Sequence, residues 1–226
     1  MAKFDYTEEQ MGDAFTRRLT SRNGLPGIGR FTKVFREVDC QRGRPDFVGV
    51  KLAKKRPLLN SGGIGGFAVA SILATLKPRS PRRLDYLISQ TGFGRDVVAL
   101  ALRSLIAEGL IQQREDHTYT LTSACALFEA DVTAFELKLN KPRRAVFQAQ
   151  QYCLFAHRVY IVVPPSELNS FAAYFPAMKR WGIGLVGFDP QANRFTRHLD
   201  SRRKSSPTLR EHQAYAMMRI AAGNIA

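Results

Sequence analysis

The sequence predicts an α/β chain split by a helical insertion, and three observations carry that expectation. Short apolar runs of strand length, such as RPDFVGVKL, AFELKL and VYIVVP, alternate with segments whose apolar residues recur at helical spacing. The stretch 60–122 has a pattern of its own and opens on NSGGIGG, which reads as a linker. A carboxylate in the first of these runs and a carboxylate–lysine pair in the second stand 90 residues apart, one on each side of that stretch. The chain therefore divides into a discontinuous domain, 1–59 and 123–226, and an inserted one, 60–122.

In chain order, EEQMGDAFTRRL is expected as the first helix, with Thr7 as N-cap and Glu8 in the first turn, where the helix dipole favours an acid. Glu8 stands three residues before Met11 and seven before Phe15, which turns it to their inward face; Glu9 is turned elsewhere. FREVDC reads as the first strand, with Glu37 and Asp39 on one face. RPDFVGVKL is the second, with Asp46 at its head.

Within the insertion, FAVASILATLK has helical spacing, and two more helices follow, joined at Thr91-Gly92-Phe93-Gly94. Leu84, Leu87 and Ile88 form one apolar face; Val98, Leu102 and Leu105 form the other. Gly109 closes the last helix as a C-terminal glycine does. GLIQQREDHTYTLT completes the module as two short strands around Glu115-Asp116-His117.

AFELKL is expected as the third strand of the split domain. Alternate side chains of a strand share a face, so Glu136 and Lys138 point one way and Phe135, Leu137 and Leu139 the other. PRRAVFQAQQYCLFAHR is the next helix and VYIVVP a buried strand. Trp181 is expected to seal the core before the final strand, GIGLVGFDP. RHLDSRRKSSPTLR reads as a loop, and TLREHQAYAMMRIAAG as an amphipathic helix for packing or dimer formation.

Asp46 and Glu136 together make a hard-oxygen site suited to Mg²⁺. A lysine beside them, Lys138, can orient or deprotonate a water attacking a phosphate, which points to a metal-dependent phosphodiesterase. The composition agrees with a polyanionic substrate. Lys and Arg number 34 against 19 Asp and Glu, a net charge of +15. Three scattered cysteines and no CxxC pair suit a reduced, cytoplasmic protein without structural zinc. The first ten residues lack a signal-peptide core, and no apolar run reaches the roughly 20 residues of a membrane span.

The residues GRPD before the insertion and ELK after it resemble the PD-(D/E)xK nuclease superfamily, the restriction-endonuclease-like fold. Their placement on successive strands, between the expected helices, extends the resemblance to roughly 120 residues in two pieces. The resemblance implies a mixed central β-sheet flanked by helices and Mg²⁺-dependent cleavage of DNA, with Mn²⁺ as a substitute. It gives Asp46, Glu136 and the carbonyl of Leu137 as metal ligands, Lys138 beside the hydrolytic water, and Glu8 as a further acid from the first helix. Glu37 competes with Glu8 for that last role. Gln148 and Tyr152, four residues apart on one helical face, resemble the Q-x-x-x-Y element that follows ExK in recombination nucleases. There such residues help to hold the site and the DNA. Double-strand cutting by one site per chain would need a homodimer or repeated nicking.

The insertion resembles a winged helix-turn-helix domain, with the helix 95–108 in the major groove and the hairpin near a phosphate backbone. That helix offers Arg95 and Arg103 as its only cations, so contact with another protein, a larger complex or a second subunit competes with DNA contact. Arg82 and Arg83 before the second helix suit phosphates, as do Arg143 and Arg144 after the ELK strand. Two other basic clusters, Lys54-Lys55-Arg56 and Arg202-Arg203-Lys204, are ordinary solvated faces by default. Two rival functions keep the same fold: a catalytically silent DNA-binding regulator or assembly factor, and a single-strand DNA or RNA exonuclease.

Overall fold

The computed structural model describes residues 5–21, 24–52, 66–123, 125 and 129–222. The chain separates into two compact units: Met1–Leu52 with Asp131–Pro207, and Ala53–Ala130 with Thr208–Ala226.

The first unit is an α/β layer structure around a mixed six-stranded sheet. Its elements are α1 (Glu8–Thr20), β1 (Lys33–Arg36) and β2 (Phe47–Leu52). In the second unit follow α2 (Gly66–Thr75), α3 (Leu84–Thr91), α4 (Arg95–Ala107), β3 (Ile111–Gln113) and β4 (Tyr119–Leu121). The chain then returns through β5 (Ala130–Leu137), α5 (Pro142–Tyr152), β6 (Arg158–Val163), a 3-10 segment (Pro165–Tyr174), α6 (Phe175–Trp181), β7 (Ile183–Asp189) and β8 (Arg194–Leu199). The last helix is α7 (Arg210–Ala222).

The sheet order is β1-β2-β5-β6-β7-β8. The β1–β2 and β7–β8 pairs are antiparallel, whereas β5, β6 and β7 run parallel. β6 reads RVYIVV and is almost wholly buried, as a central parallel strand covered on both faces should be. On one face α1 docks through Met11, Ala14, Phe15 and Leu19. Phe15 is the knot, meeting the rings of Phe47, Phe135 and Phe188 edge-on at 5.6, 5.5 and 5.3 Å. Each such pair adds about 0.5–1.5 kcal/mol beyond the area it buries. Thr7 and Gln10 cap the helix reciprocally, so its first turn, with Glu8, is fixed over the sheet.

The second unit is built of α2, α3 and α4, the antiparallel β3–β4 pair and α7. α2 packs on both α4 and α7. Leu87, Val98, Leu102 and Leu105 are buried as their spacing predicts, and Gly109 takes the left-handed φ of +68° that ends α4.

Several expectations are corrected. The first strand is KVFR, so Glu37 and Asp39 lie beyond it rather than on its face, and Glu37 has a φ of +50°. GIGLVGFDP is not the last strand: β8 follows it. RHL belongs to β8, and its loop reading fails because an edge strand with mostly exposed side chains lacks the apolar alternation of a half-buried one. Trp181 is 38% exposed and does not seal the core. Residues 208–226, read as part of the split domain, group with the second unit. The linker residues 60–65 and the Lys54-Lys55-Arg56 cluster lie outside the described residues. Among the described residues no helix is long and apolar enough to cross a membrane, and Cys40, Cys125 and Cys153 are not joined in disulfides.

Candidate active site

The ammonium of Lys138 sits where oxygen atoms from three separate parts of the first unit converge. Lys138 follows directly on β5, and its backbone N–H still donates to Val162 O across to β6 at 3.0 Å. Its Nζ lies 2.8 Å from Glu136 Oε1, 3.1 Å from Glu8 Oε1 and 3.9 Å from Asp46 Oδ2. Nζ also donates to the carbonyl oxygen of Leu137 at 2.8 Å. The Glu136 contact is an ion pair without hydrogen-bond geometry. Glu136 and Lys138 share one side of the chain, while Phe135 and Leu137 enter the apolar core, as alternation requires.

Each acid is positioned by its own element. Asp46 stands just before β2 and accepts a 2.6 Å hydrogen bond from the backbone N–H of Leu137. That bond ties the head of β2 to the end of β5. Glu136, only 1% exposed, accepts a 2.6 Å hydrogen bond on Oε2 from the Tyr152 hydroxyl of α5. Tyr152 owes its place partly to Gly43, whose φ is +152°: a Cβ there would stand 2.7 Å from Tyr152 Cε1. Glu8 comes from the first turn of α1, and its side chain is 47% exposed.

The electrostatics follow from three carboxyl groups sharing one ammonium. Burial, and next the charge of Glu136, push the Asp46 carboxyl up to about 6, against the opposing pull of Lys138 and the Leu137 N–H. Burial alone would lower the Lys138 ammonium; the charges of Glu136, Asp46 and Glu8 outweigh it and hold the group above its ordinary value. Burial and the neighbouring Glu136 raise the Tyr152 phenol, which therefore stays a hydrogen-bond donor.

A cleft opens over this centre, lined by Glu8, Asp46 and Leu137 and also by Glu9, Gly12, Arg36, Glu37 and Phe47. Sequence reasoning missed Arg36, Gly12 and Gly43. Arg36 lies over the Phe47 ring, 5.3 Å from its centroid, and pairs with Asp13 at 2.8 Å. Glu37 borders the cleft but its carboxylate is paired with Arg44 at 2.9 Å. Gln148 lies one turn before Tyr152, and its buried Oε1 has no hydrogen-bond partner among the described residues. Of the expected pair, Tyr152 alone is tied to Glu136.

The proposed phosphate-contacting residues fall into two sets. Arg143 and Arg144 are exposed on the first turn of α5. In the second unit, Arg83 and Arg103 are exposed, Arg82 lies over the Tyr86 ring at 4.8 Å, and Arg95 is paired with Asp85 at 2.6 Å. Arg203, expected in a solvated cluster, is bound to Asp131 at 2.8 Å, and Lys204 donates to the Cys153 carbonyl at 3.1 Å.

The donor chemistry (two buried or half-buried carboxylates, a third acid and a backbone carbonyl, all hard oxygens) fits a small divalent cation. Yet the point where these oxygens converge holds Nζ, and among the described residues no three His, Cys, Asp or Glu side chains are grouped so as to hold a metal as they stand. Comparison of the chain with protein-family models, with curated proteins and with solved structures gave no match.

Proposed function

We propose that the first unit is a restriction-endonuclease-like domain that hydrolyses phosphodiester bonds of DNA with Mg²⁺, and that the second carries a winged helix. The observation that supports this most is the meeting of Asp46, Glu136, Lys138 and Glu8, drawn from both sides of a long insertion, with Asp46 and Glu8 lining one cleft. In this reading Asp46, Glu136 and the Leu137 carbonyl hold the ion. When bound, it would polarise the scissile phosphate and acidify a water. The excess of acids over cations at this centre is what a divalent ion would offset.

Lys138 then has two positions. In the first its ammonium stands in for the cation among the oxygens. In the second its flexible stem carries Nζ outward by a few bond rotations, where it holds the attacking water. Glu8 stays within reach of the ammonium from the cleft side, and Tyr152 keeps Glu136 aimed at the centre. For the second unit, α3, α4 and the β3–β4 hairpin support the winged-helix reading. The exposed Val97 and Leu100 on α4 favour protein contact over base reading there.

A second reading has its own observation. An ammonium already seated among the oxygens is what a silent, nuclease-like DNA-binding protein would also hold. Incubation with plasmid and linear DNA and Mg²⁺ or Mn²⁺ separates the two. Cleavage by the native chain is expected, with Asp46→Ala and Lys138→Ala folded, still binding DNA, and slowed roughly 10²–10⁴-fold. Binding without any metal-dependent cutting would establish the silent reading instead.

A further inference from the structure

We propose that the outer face of α5, centred on Phe147, is a stacking site for an unpaired nucleobase of single-stranded DNA. The proposal deepens the nucleic-acid reading above, but it does not depend on cleavage.

Phe147 is 63% exposed, more than any other large apolar side chain among the described residues. The helix does not need it for packing, because α5 docks through Ala145, Val146, Ala149 and Tyr152. Phe147 lies instead in a groove with Lys141, Arg143, Arg144 and, from the end of the 3-10 segment, Tyr174. Arg143 and Arg144 precede Phe147 by four and three residues, so all three occupy one side of the helix.

The chemistry of this groove selects its occupant. Its lining contains no acid, and among the described residues its three cations form no ion pair. An aromatic ring offers a surface for any base, and the flanking cations match the phosphates on either side of it. Bases of an intact duplex are stacked on each other and hide their faces, so the groove suits an unpaired strand. Lys141 is three residues from Lys138, which bounds their separation at roughly 11 Å. The Lys141 end of the groove therefore lies near the carboxylate centre, and a base stacked on Phe147 is held out of a duplex.

The test measures binding of the full chain, with divalent ions chelated, to a fluorescein-labelled oligothymidine and to a blunt-ended hairpin duplex. Phe147→Ala should weaken binding to the oligothymidine roughly 5- to 100-fold, leave duplex binding and thermal stability unchanged, and keep the salt dependence of binding. Arg143→Ala and Arg144→Ala should instead flatten that salt dependence, by about 0.7 in logarithmic slope for each phosphate no longer neutralised. Phe147→Trp in a Trp181→Phe background should restore affinity, and its fluorescence should be quenched by the oligonucleotide.

Unchanged oligothymidine binding by Phe147→Ala, or an equal loss on the duplex, overturns the proposal. The first result leaves the groove to an acidic protein segment. A native chain that binds neither DNA removes the nucleic-acid reading altogether. A native chain that binds and cuts, beside a Phe147→Ala variant with normal oligothymidine affinity, removes the stacking site alone.

Discussion

Two regions that carry lysine or arginine lie within a few residues of each other on the first unit, and their cations are held in opposite ways. At the end of β5, Lys138 is 11% exposed and surrounded by three carboxylates and a carbonyl. On the first turn of α5, Lys141, Arg143 and Arg144 face solvent around an exposed phenylalanine, with no acid among them. The first region has an excess of negative charge and attracts a cation; the second has an excess of positive charge and attracts an anion. A phosphodiester with its counter-ion carries both signs, so adjacent regions of opposite excess are what the proposed substrate would require. The cost of removing a cation should differ accordingly. Inside it leaves buried acids unpaired, whereas outside it leaves only water.

The largest effect should come from Lys138→Met. Stripping the cation from a buried group of acids costs about 3–5 kcal/mol, to be read from urea unfolding without divalent ions. Mg²⁺ or Mn²⁺ should then raise the melting temperature of this variant more than that of the native chain, because the ion no longer competes with the ammonium. Equal rises in both would show that Nζ does not occupy the ion's place.

A smaller effect concerns acid. The Asp46 carboxyl is raised in the folded state from 3.8 to about 6, so the folded chain binds its proton more tightly than the unfolded one. Its contribution to stability is complete below the unfolded value and is lost as pH rises through about 6. The change is at most about 3 kcal/mol, since each tenfold difference in proton affinity is worth about 1.4 kcal/mol. Asp46→Asn should flatten the stability profile between about pH 4 and pH 6; a profile that keeps its fall would assign the titration to another group. Smallest of all, Arg143→Ala and Arg144→Ala should each change stability by no more than about 0.5 kcal/mol, since neither side chain has an ion-pair partner among the described residues.

The contrast between the regions was partly legible in the sequence. Two-residue alternation predicted that Glu136 and Lys138 share a side, and helical spacing turned Glu8 inward; the structure joins all three, with Asp46. Alternation depends only on backbone type, which apolar runs report well. Gly43 was not legible, because its role depends on an irregular loop bringing it against Tyr152, which stands far along the chain on α5. Arg36 was hidden for the same reason: its neighbours Asp13 and Phe47 are set by the docking of α1 on the sheet, not by local pattern. Trp181 misled because a large apolar side chain suggests burial, while its position at the end of α6 leaves it at the surface. The polar β8 was half lost to a loop reading, since an exposed edge strand and a loop have the same composition.

The two compact units interlock along the chain, since each is built from a segment before and a segment after part of the other. During synthesis the ribosome therefore delivers Glu8 and Asp46 long before Glu136 and Lys138, and α2 long before its packing partner α7. Neither unit can close until its later segment has emerged, and a nascent polypeptide stalled between the two has an unfinished centre. Contacts of such long sequence separation form slowly, so Asp46 and Lys138 stay apart until β5 has been made and has found its place beside β2.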